Sequence, residues 1–199
     1  MNYPNTIRNL IECFKKYPGI GEKSAERLAL ATMNMNDEIL NLFADSLVNV
    51  KKKIRRCSIC NHLSENEICD ICSDRTRDMS TVCVVEEPKN VILFEKIGSY
   101  RGLYHVLNGL ISPLDGVNPD DLTITSLVNR IKDGQIKEVI IAVKPSVEGE
   151  TTALYISKLL QKLPVKVTKI AHGIPIGVDM EYIDALTLEL ALEDRTSVS

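Results

Sequence analysis

The stretch CSICNHLSENEICDIC, residues 57–72, carries two Cys-x2-Cys pairs separated by eight residues: Cys57 and Cys60, then Cys69 and Cys72. Two such pairs can bring four thiolates to one tetrahedral Zn²⁺ at about 2.3 Å. The competing readings are two disulfides or a redox Cys-x-x-Cys. Nothing in the sequence indicates export, and disulfides are rare in the cytosol, so structural zinc is the expectation. Residues 57–79 are too poor in apolar side chains to build a core, and metal binding supplies folding free energy to such a segment. Four cysteines fill every position of a tetrahedral ion, so the site reads as structural rather than catalytic. The remaining cysteines read as small buried hydrophobes, Cys13 on the apolar side of a helix and Cys83 inside a strand.

Upstream of the cysteines the pattern is helical. Ile7, Leu10, Ile11 and Phe14 recur at helical spacing. Tyr17-Pro18-Gly19-Ile20-Gly21 interrupts that helix, and a second runs from about Glu22 through Leu28 to Met33. After a turn at 34–37, a third carries Ile39, Phe43, Leu47, Val50 and Ile54 on one stripe. The interruption is the informative part. Two glycines flank one apolar residue between helices, which lets the backbone and the start of the next helix approach a phosphate. Ile20 is expected to plug the hairpin into the helix pair. Lys23 and Arg27 lie four apart on one helix face, so both can reach one phosphate backbone. This pattern resembles the helix-hairpin-helix motif of DNA repair proteins, with Gly19, Gly21, Lys23 and Arg27 as the DNA-binding residues. An ordinary glycine-containing turn is the plainer reading. A nucleotide P-loop is excluded, because Gly21 and Lys23-Ser24 lack the Gly-x4-Gly-Lys-Ser/Thr spacing.

Downstream, strands and helices alternate. Thr81–Val85, Tyr104–Leu107, Glu138–Val143 and Val165–Ala171 read as strands. Val91–Ile97, Ile124–Lys132 and Thr151–Leu163 read as helices, with a final helix over Glu181–Glu193. That alternation predicts a parallel sheet covered on both faces. The expected organisation is a helical module at 1–56, a zinc finger at 57–72, an α/β domain at 80–175 and a C-terminal helical segment at 176–199. Acidic residues fall where strands end: Glu86 and Glu87 after the first, Glu148-Gly149-Glu150 after the third. Ligands of open α/β sheets bind at that edge, and carboxylates there can hold Mg²⁺. The arrangement resembles the Toprim domain, in which a Glu and an Asp-x-Asp hold the ion. Here Glu-x-Glu stands in place of Asp-x-Asp, each side chain one methylene longer. The plainer readings are solvated loop carboxylates and, for Glu150, a first-turn residue favoured by the helix dipole. His62, His105 and His172 are isolated in sequence.

The chain has 199 residues, 44% hydrophobic and 26% charged, as in ordinary globular proteins. Its net charge of −3 is unevenly spread. Residues 1–56 carry ten Lys/Arg against six Asp/Glu, a balance of +4, and the rest fourteen against twenty-one, a balance of −7. A basic end on an acidic body suits contact with phosphate, although the run Lys51, Lys52, Lys53, Arg55 and Arg56 alone also reads as a solvated face. No apolar stretch approaches the ~20 residues of a membrane span. Residues 1–10 have no apolar centre or small-residue cleavage site, so a cytoplasmic location is expected.

Taken in order, these signals resemble the RecR family of bacterial recombination mediators over nearly the whole chain. The resemblance rests on PGIGEKSAERLA at 18–29, the four cysteines and VVEEP at 84–88. It continues through YRGLYHVLNG at 100–109, SPLDG at 112–116, VEGETTA at 147–153 and AHGIPIG at 171–177. Lys144 and Val178 depart from the family pattern, where Asn and a second Gly are usual. The resemblance implies a DNA-binding mediator that acts with RecO and RecF to load recombinase onto single-stranded DNA. It implies a ring-like homo-oligomer contacting single- and double-stranded DNA, without catalysis. It also implies that Glu86, Glu148 and Glu150 serve partner binding, with a loosely held Mg²⁺ at most. The rival is a Mg²⁺-dependent Toprim nuclease or primase-like enzyme. A topoisomerase is disfavoured, because 199 residues leave no room for a gate carrying a Tyr nucleophile.

Overall fold

The computed structural model describes residues 3–171, 173–174, 177–193 and 195, with the side chain of Leu186 excepted. His172, Pro175 and Ile176 of the 171–177 stretch lie outside them. The chain forms two compact units, Met1–Ile54 and Arg55–Ser199.

The first unit is helical: α1 (Asn5–Phe14), α2 (Glu22–Thr32) and α3 (Asp37–Lys53). α1 and α2 close on a small core in which Ile11, Ala25 and Ala29 are buried and Ile7, Leu10, Phe14 and Ile20 pack around them. α3 is set by its ends. The Asn36 side chain accepts the Ile39 N–H at 2.8 Å, and Lys51, Lys52 and Lys53 sit in the last turn, where cations complement the helix dipole. Its stripe of Ile39, Phe43, Leu47, Val50 and Ile54 is as periodic as expected, yet each of the five is exposed, as are Leu42 and Val48. Cys13 also departs from expectation, being exposed rather than buried. It follows the buried Ile11 by two positions, and at about 100° per residue that turns it roughly 200° from the packed face.

The second unit is built on a parallel sheet of β3 (Thr81–Val85), β4 (Leu103–Val106), β5 (Glu138–Ala142) and β6 (Lys166–Lys169), in the order β4-β3-β5-β6. Alternate residues of each strand point to opposite faces. On one face Val82, Val84, Leu103, Val139 and Ile141 join α6 (Ile124–Lys132) and α7 (Val147–Leu160) through Leu127, Ile131, Ile156 and Leu160. On the other, Cys83, Val85, Tyr104, Val106 and Ala142 cluster with Val91 and Phe94 of α5 (Pro88–Ile97). The sheet is therefore covered on both faces, and Cys83 is buried.

Several boundaries move for local reasons. α5 starts at Pro88, three residues earlier than the periodicity indicates, because Glu87 and Asn90 form a capping box ahead of a proline in the first turn. α7 starts at Val147, a turn earlier than Thr151, because Ser146 accepts the Gly149 N–H at 3.2 Å. Gly149 is required there: a Cβ would lie 2.0 Å from the Lys144 carbonyl oxygen. The expected helix Glu181–Glu193 is divided. A 3₁₀ turn at Met180–Tyr182 precedes extended Ile183, and α8 (Ala185–Glu193) follows, with Asp184 accepting the Thr187 N–H at 2.9 Å.

Two anchors tie the cysteine segment and its flank to the sheet. The Val106 N–H on edge strand β4 donates to the Cys60 carbonyl at 2.8 Å. Arg77, almost fully buried, donates from Nε to the Gly102 carbonyl at 2.9 Å and pairs through both terminal nitrogens with Glu95, which also accepts from Tyr104.

His105 lies fully buried on β4. Its Nε2 stands 3.1 Å from the Thr123 carbonyl, which makes Nε2 the protonated nitrogen, and Nδ1 has no partner among the described residues. Burial lowers its pKa from 6.5 to about 4. The unfolded chain therefore binds a proton that the folded chain refuses. The His105 contribution is complete above pH 6.5 and is lost as pH falls toward 4, by about 3 kcal/mol in full. Urea unfolding at stepped pH measures this slope, and His105→Gln is expected to flatten it relative to the parent chain.

Candidate nucleic-acid interface and metal centre

In the first unit the hairpin between α1 and α2 forms where Gly19 takes φ +80°, a left-handed conformation that glycine adopts without a steric penalty. Ile20 is half-buried against the α1–α2 core, so the hairpin is plugged from within. Gly21 is the N-cap of α2 and has no side chain to satisfy the first amides of the helix, which are left to an external acceptor. Lys23 and Arg27 are both exposed on this helix. Lys15 adds a cation at the base of the hairpin, held by Glu12 at 2.8 Å and Glu22 at 2.7 Å. Hydrogen bonds to Glu12 and then Glu22 raise its pKa further above the ordinary lysine value, so it stays charged.

In the second unit the four cysteine sulfurs lie within 4.8 Å of one another. Four sulfurs around one zinc at about 2.3 Å are spaced by about 3.8 Å, and Cys60 and Cys69 stand 3.6 Å apart. The donors therefore fit a tetrahedral zinc. Local structure creates this convergence. β1 (Arg55–Arg56) pairs antiparallel with β2 (Leu63–Ser64), and the hairpin is closed by the Cys57 N–H on the His62 carbonyl at 2.8 Å. Asn61 takes φ +60° at its tip. The second pair opens the short helix α4 (Asp70–Ser73), and the Cys69 N–H donates to the Cys57 sulfur at 3.3 Å. Four thiols this close cannot all ionise without a cation. Hydrogen bonds from Cys60 and Cys72 hold Cys69 below the ordinary thiol range, and its bond with Cys69 holds Cys60 above it. Zn²⁺ resolves that conflict by taking all four as thiolates.

The acidic residues behave differently. Glu86 follows β3, and its carbonyl accepts the Asn108 and Gly109 N–H groups at 2.9 and 3.3 Å. Because α7 begins at Val147, Glu148 and Glu150 both fall in its first turn, two residues and about 200° apart. Glu148 accepts from the Ser146 hydroxyl at 2.7 Å, while Glu150 pairs with Lys169 of β6 at 3.1 Å. The Ser146 hydroxyl first, then the backbone amide of Glu148, and finally the charge of Lys144 lower the Glu148 pKa. Among the described residues, the four cysteines are the only group of three or more His, Cys, Asp or Glu ligand atoms this close together. Glu86, Glu148 and Glu150 do not gather to that separation. The helical setting of Glu148 and Glu150 was signalled in the sequence by Ser146, a capping residue three before Gly149.

A glycine hairpin with exposed cations, a four-cysteine metal site and a Toprim-like α/β domain in one chain define a zinc-finger protein of DNA recombination and repair. Comparison with known proteins agrees. Residues 7–51 match the helix-hairpin-helix of RecR, residues 54–74 the four-cysteine zinc-finger domain of RecR, residues 80–171 the Toprim domain and residues 173–196 the C-terminal region of RecR. The recombination protein RecR of Staphylococcus haemolyticus (strain JCSC1435) is 48% identical over 198 residues, covering 100% of both chains. The same protein from Staphylococcus aureus strain Newman is also 48% identical over the full length of both. The chain belongs to the RecR family. Among the described residues, no helix is long and apolar enough to cross a membrane.

Protein purified without chelator is expected to hold one zinc per chain by metal analysis. Cys60→Ala is expected to abolish that content and destabilise the cysteine segment by several kcal/mol, because metal binding and folding are linked there.

Proposed function

We propose that the chain is a non-enzymatic mediator that holds DNA through the helix-hairpin-helix, with RecO and RecF as partners in loading recombinase onto single-stranded DNA. The observation that carries the DNA half is the hairpin itself. Gly19 and Gly21 clear a path to the backbone, the first amides of α2 lack a side-chain cap, and Lys23 and Arg27 stand exposed beside them. Such a site contacts phosphate without reading bases, which suits a protein that accepts both single- and double-stranded DNA. Cys57, Cys60, Cys69 and Cys72 hold structural Zn²⁺ in this reading, with the segments proposed at 1–56, 57–72, 80–175 and 176–199. The uncovered apolar stripe of α3 supports assembly into a homo-oligomeric ring, since a second copy would remove it from water. A cytoplasmic location accords with contact with DNA.

Glu86, Glu148 and Glu150 are assigned to partner binding. Carboxylates repel phosphate, so this acidic edge suits a basic protein surface, and RecO is the proposed occupant. Mg²⁺ would have to displace the Ser146 hydroxyl from Glu148 and Lys169 from Glu150, so any ion there is loosely held. The competing reading is a Mg²⁺-dependent Toprim nuclease or primase-like enzyme, favoured by the fold alone.

Replacing Lys23 and Arg27 by Ala is expected to weaken DNA binding about equally across sequences and to lower the salt slope by about one unit per lost contact. Unchanged affinity and slope at moderate salt would remove the hairpin from the DNA site. Glu148→Ala is expected to lose RecO affinity and keep DNA affinity. Strand cleavage by the parent chain with Mg²⁺ or Mn²⁺, abolished in this variant, would replace the mediator with the enzyme.

A further inference from the structure

The four sulfurs are not equally protected. Cys57, Cys60 and Cys69 are 0%, 1% and 3% exposed, whereas Cys72 is only half-buried. A backbone amide also caps Cys57, the Cys69 N–H donating to its sulfur at 3.3 Å. Such a bond withdraws electron density from a thiolate and lowers its nucleophilicity. Cys72 instead lines a cleft of about 270 Å³ between the cysteine segment and the sheet domain, walled by Ile59, Met79, Leu103, Ile136, Arg130 and Gln135. The Arg130 guanidinium is fixed there, donating to the Tyr104 carbonyl at 2.7 Å. The cleft, which Asp133 also lines, is large enough to admit a small molecule, and the fixed Arg130 cation is placed to stabilise negative charge developing on a leaving group.

We propose that Cys72 is a modification site, the one sulfur of the metal centre open to small electrophiles and hydroperoxides. This inference rests on the zinc reading of the four cysteines. The Cys72 thiolate attacks hydrogen peroxide, an S–O bond forms, the O–O bond breaks, and hydroxide leaves with the electron pair. Cys60 or Cys69, each within 4.8 Å, then attacks the Cys72 sulfur, forming a disulfide and expelling a second hydroxide. Two thiolates are oxidised by two electrons, the peroxide is reduced, and Zn²⁺ leaves a site that retains only two ligands. Cys60 then either joins the disulfide or loses its metal, and its carbonyl is the acceptor for the Val106 N–H on β4. Oxidation at one sulfur thereby reaches the edge of the sheet.

The test uses the full-length chain carrying Cys13→Ser, which removes an exposed thiol from outside the site. Metal analysis first establishes one zinc per chain, so failure of the zinc reading is seen before any labelling. The chain is then treated with limiting N-ethylmaleimide, and separately with hydrogen peroxide. A chromophoric chelator follows zinc release while peptide mass spectrometry identifies the first cysteine changed. Cys72 is expected to be modified ahead of Cys57, Cys60 and Cys69, with zinc released at the same rate. Gln135→Trp, at an exposed rim position, is expected to slow both reactions several-fold by filling the cleft, with zinc loss to chelator alone unchanged. The proposal is overturned if another ligand reacts first, if all four react together at the rate of spontaneous zinc loss, or if Gln135→Trp leaves the rates unaltered.

Discussion

Four sulfurs held within 4.8 Å are the constraint on which the cysteine segment, and through it one edge of the sheet, depends. Residues 55–74 contribute two strands of two residues and one helix of four, far below what folds alone. The cysteines themselves are its buried core, joined by Ile59 and Ile71. A metal tetrahedron replaces the hydrophobic burial that this segment lacks. The consequence extends further, because the Cys60 carbonyl takes the Val106 N–H from β4. An edge strand with open amides is a liability, and the cysteine segment covers one of them. Arg77, placed just beyond that segment, adds a buried pair with Glu95 and a bond to the Gly102 carbonyl at the start of the same strand.

The same logic separates the two metal questions. Zinc has four preformed donors at the right spacing. The acidic edge has carboxylates already engaged with a hydroxyl and a lysine, facing different ways from one helix turn. A Toprim fold does not by itself establish phosphodiester chemistry, and the family assignment, a recombination protein, is consistent with a non-enzymatic role. The two positions expected to depart from the family pattern differ in their settings. Lys144 adds positive charge near Glu148, and its carbonyl lies so close to Gly149 that no side chain fits there. Nothing in the structure explains Val178.

Much of this was legible in the sequence, and the misses have physical causes. Cys-x2-Cys spacing reports metal geometry directly, because four soft ligands at short range have few other uses. Strand alternation gave the parallel sheet, and Ile124–Lys132 emerges with the bounds its periodicity indicates. Helix starts were the weak point. Pro88 and Ser146 initiate α5 and α7 through capping, which hydrophobic periodicity does not register. Without that start Glu148 falls in a loop, where it can converge with Glu150, although the first-turn reading of Glu150 agrees with the structure. Cys13 was misplaced because an apolar neighbourhood in sequence is not a face in space. The stripe on α3 is as periodic as the sequence indicates, but periodicity does not report whether the surface that covers it belongs to the same chain.

The dependence of the sheet edge on the metal centre is tested most directly by amide hydrogen exchange on the zinc-loaded chain before and after chelation. The Val106 amide and its β4 neighbours are expected to lose protection when zinc is removed. The amides of β5, at the centre of the sheet, and of α1 and α2 in the other unit are expected to keep theirs. Unchanged protection of Val106 in the zinc-free chain would contradict the claim that the four sulfurs hold this edge in place.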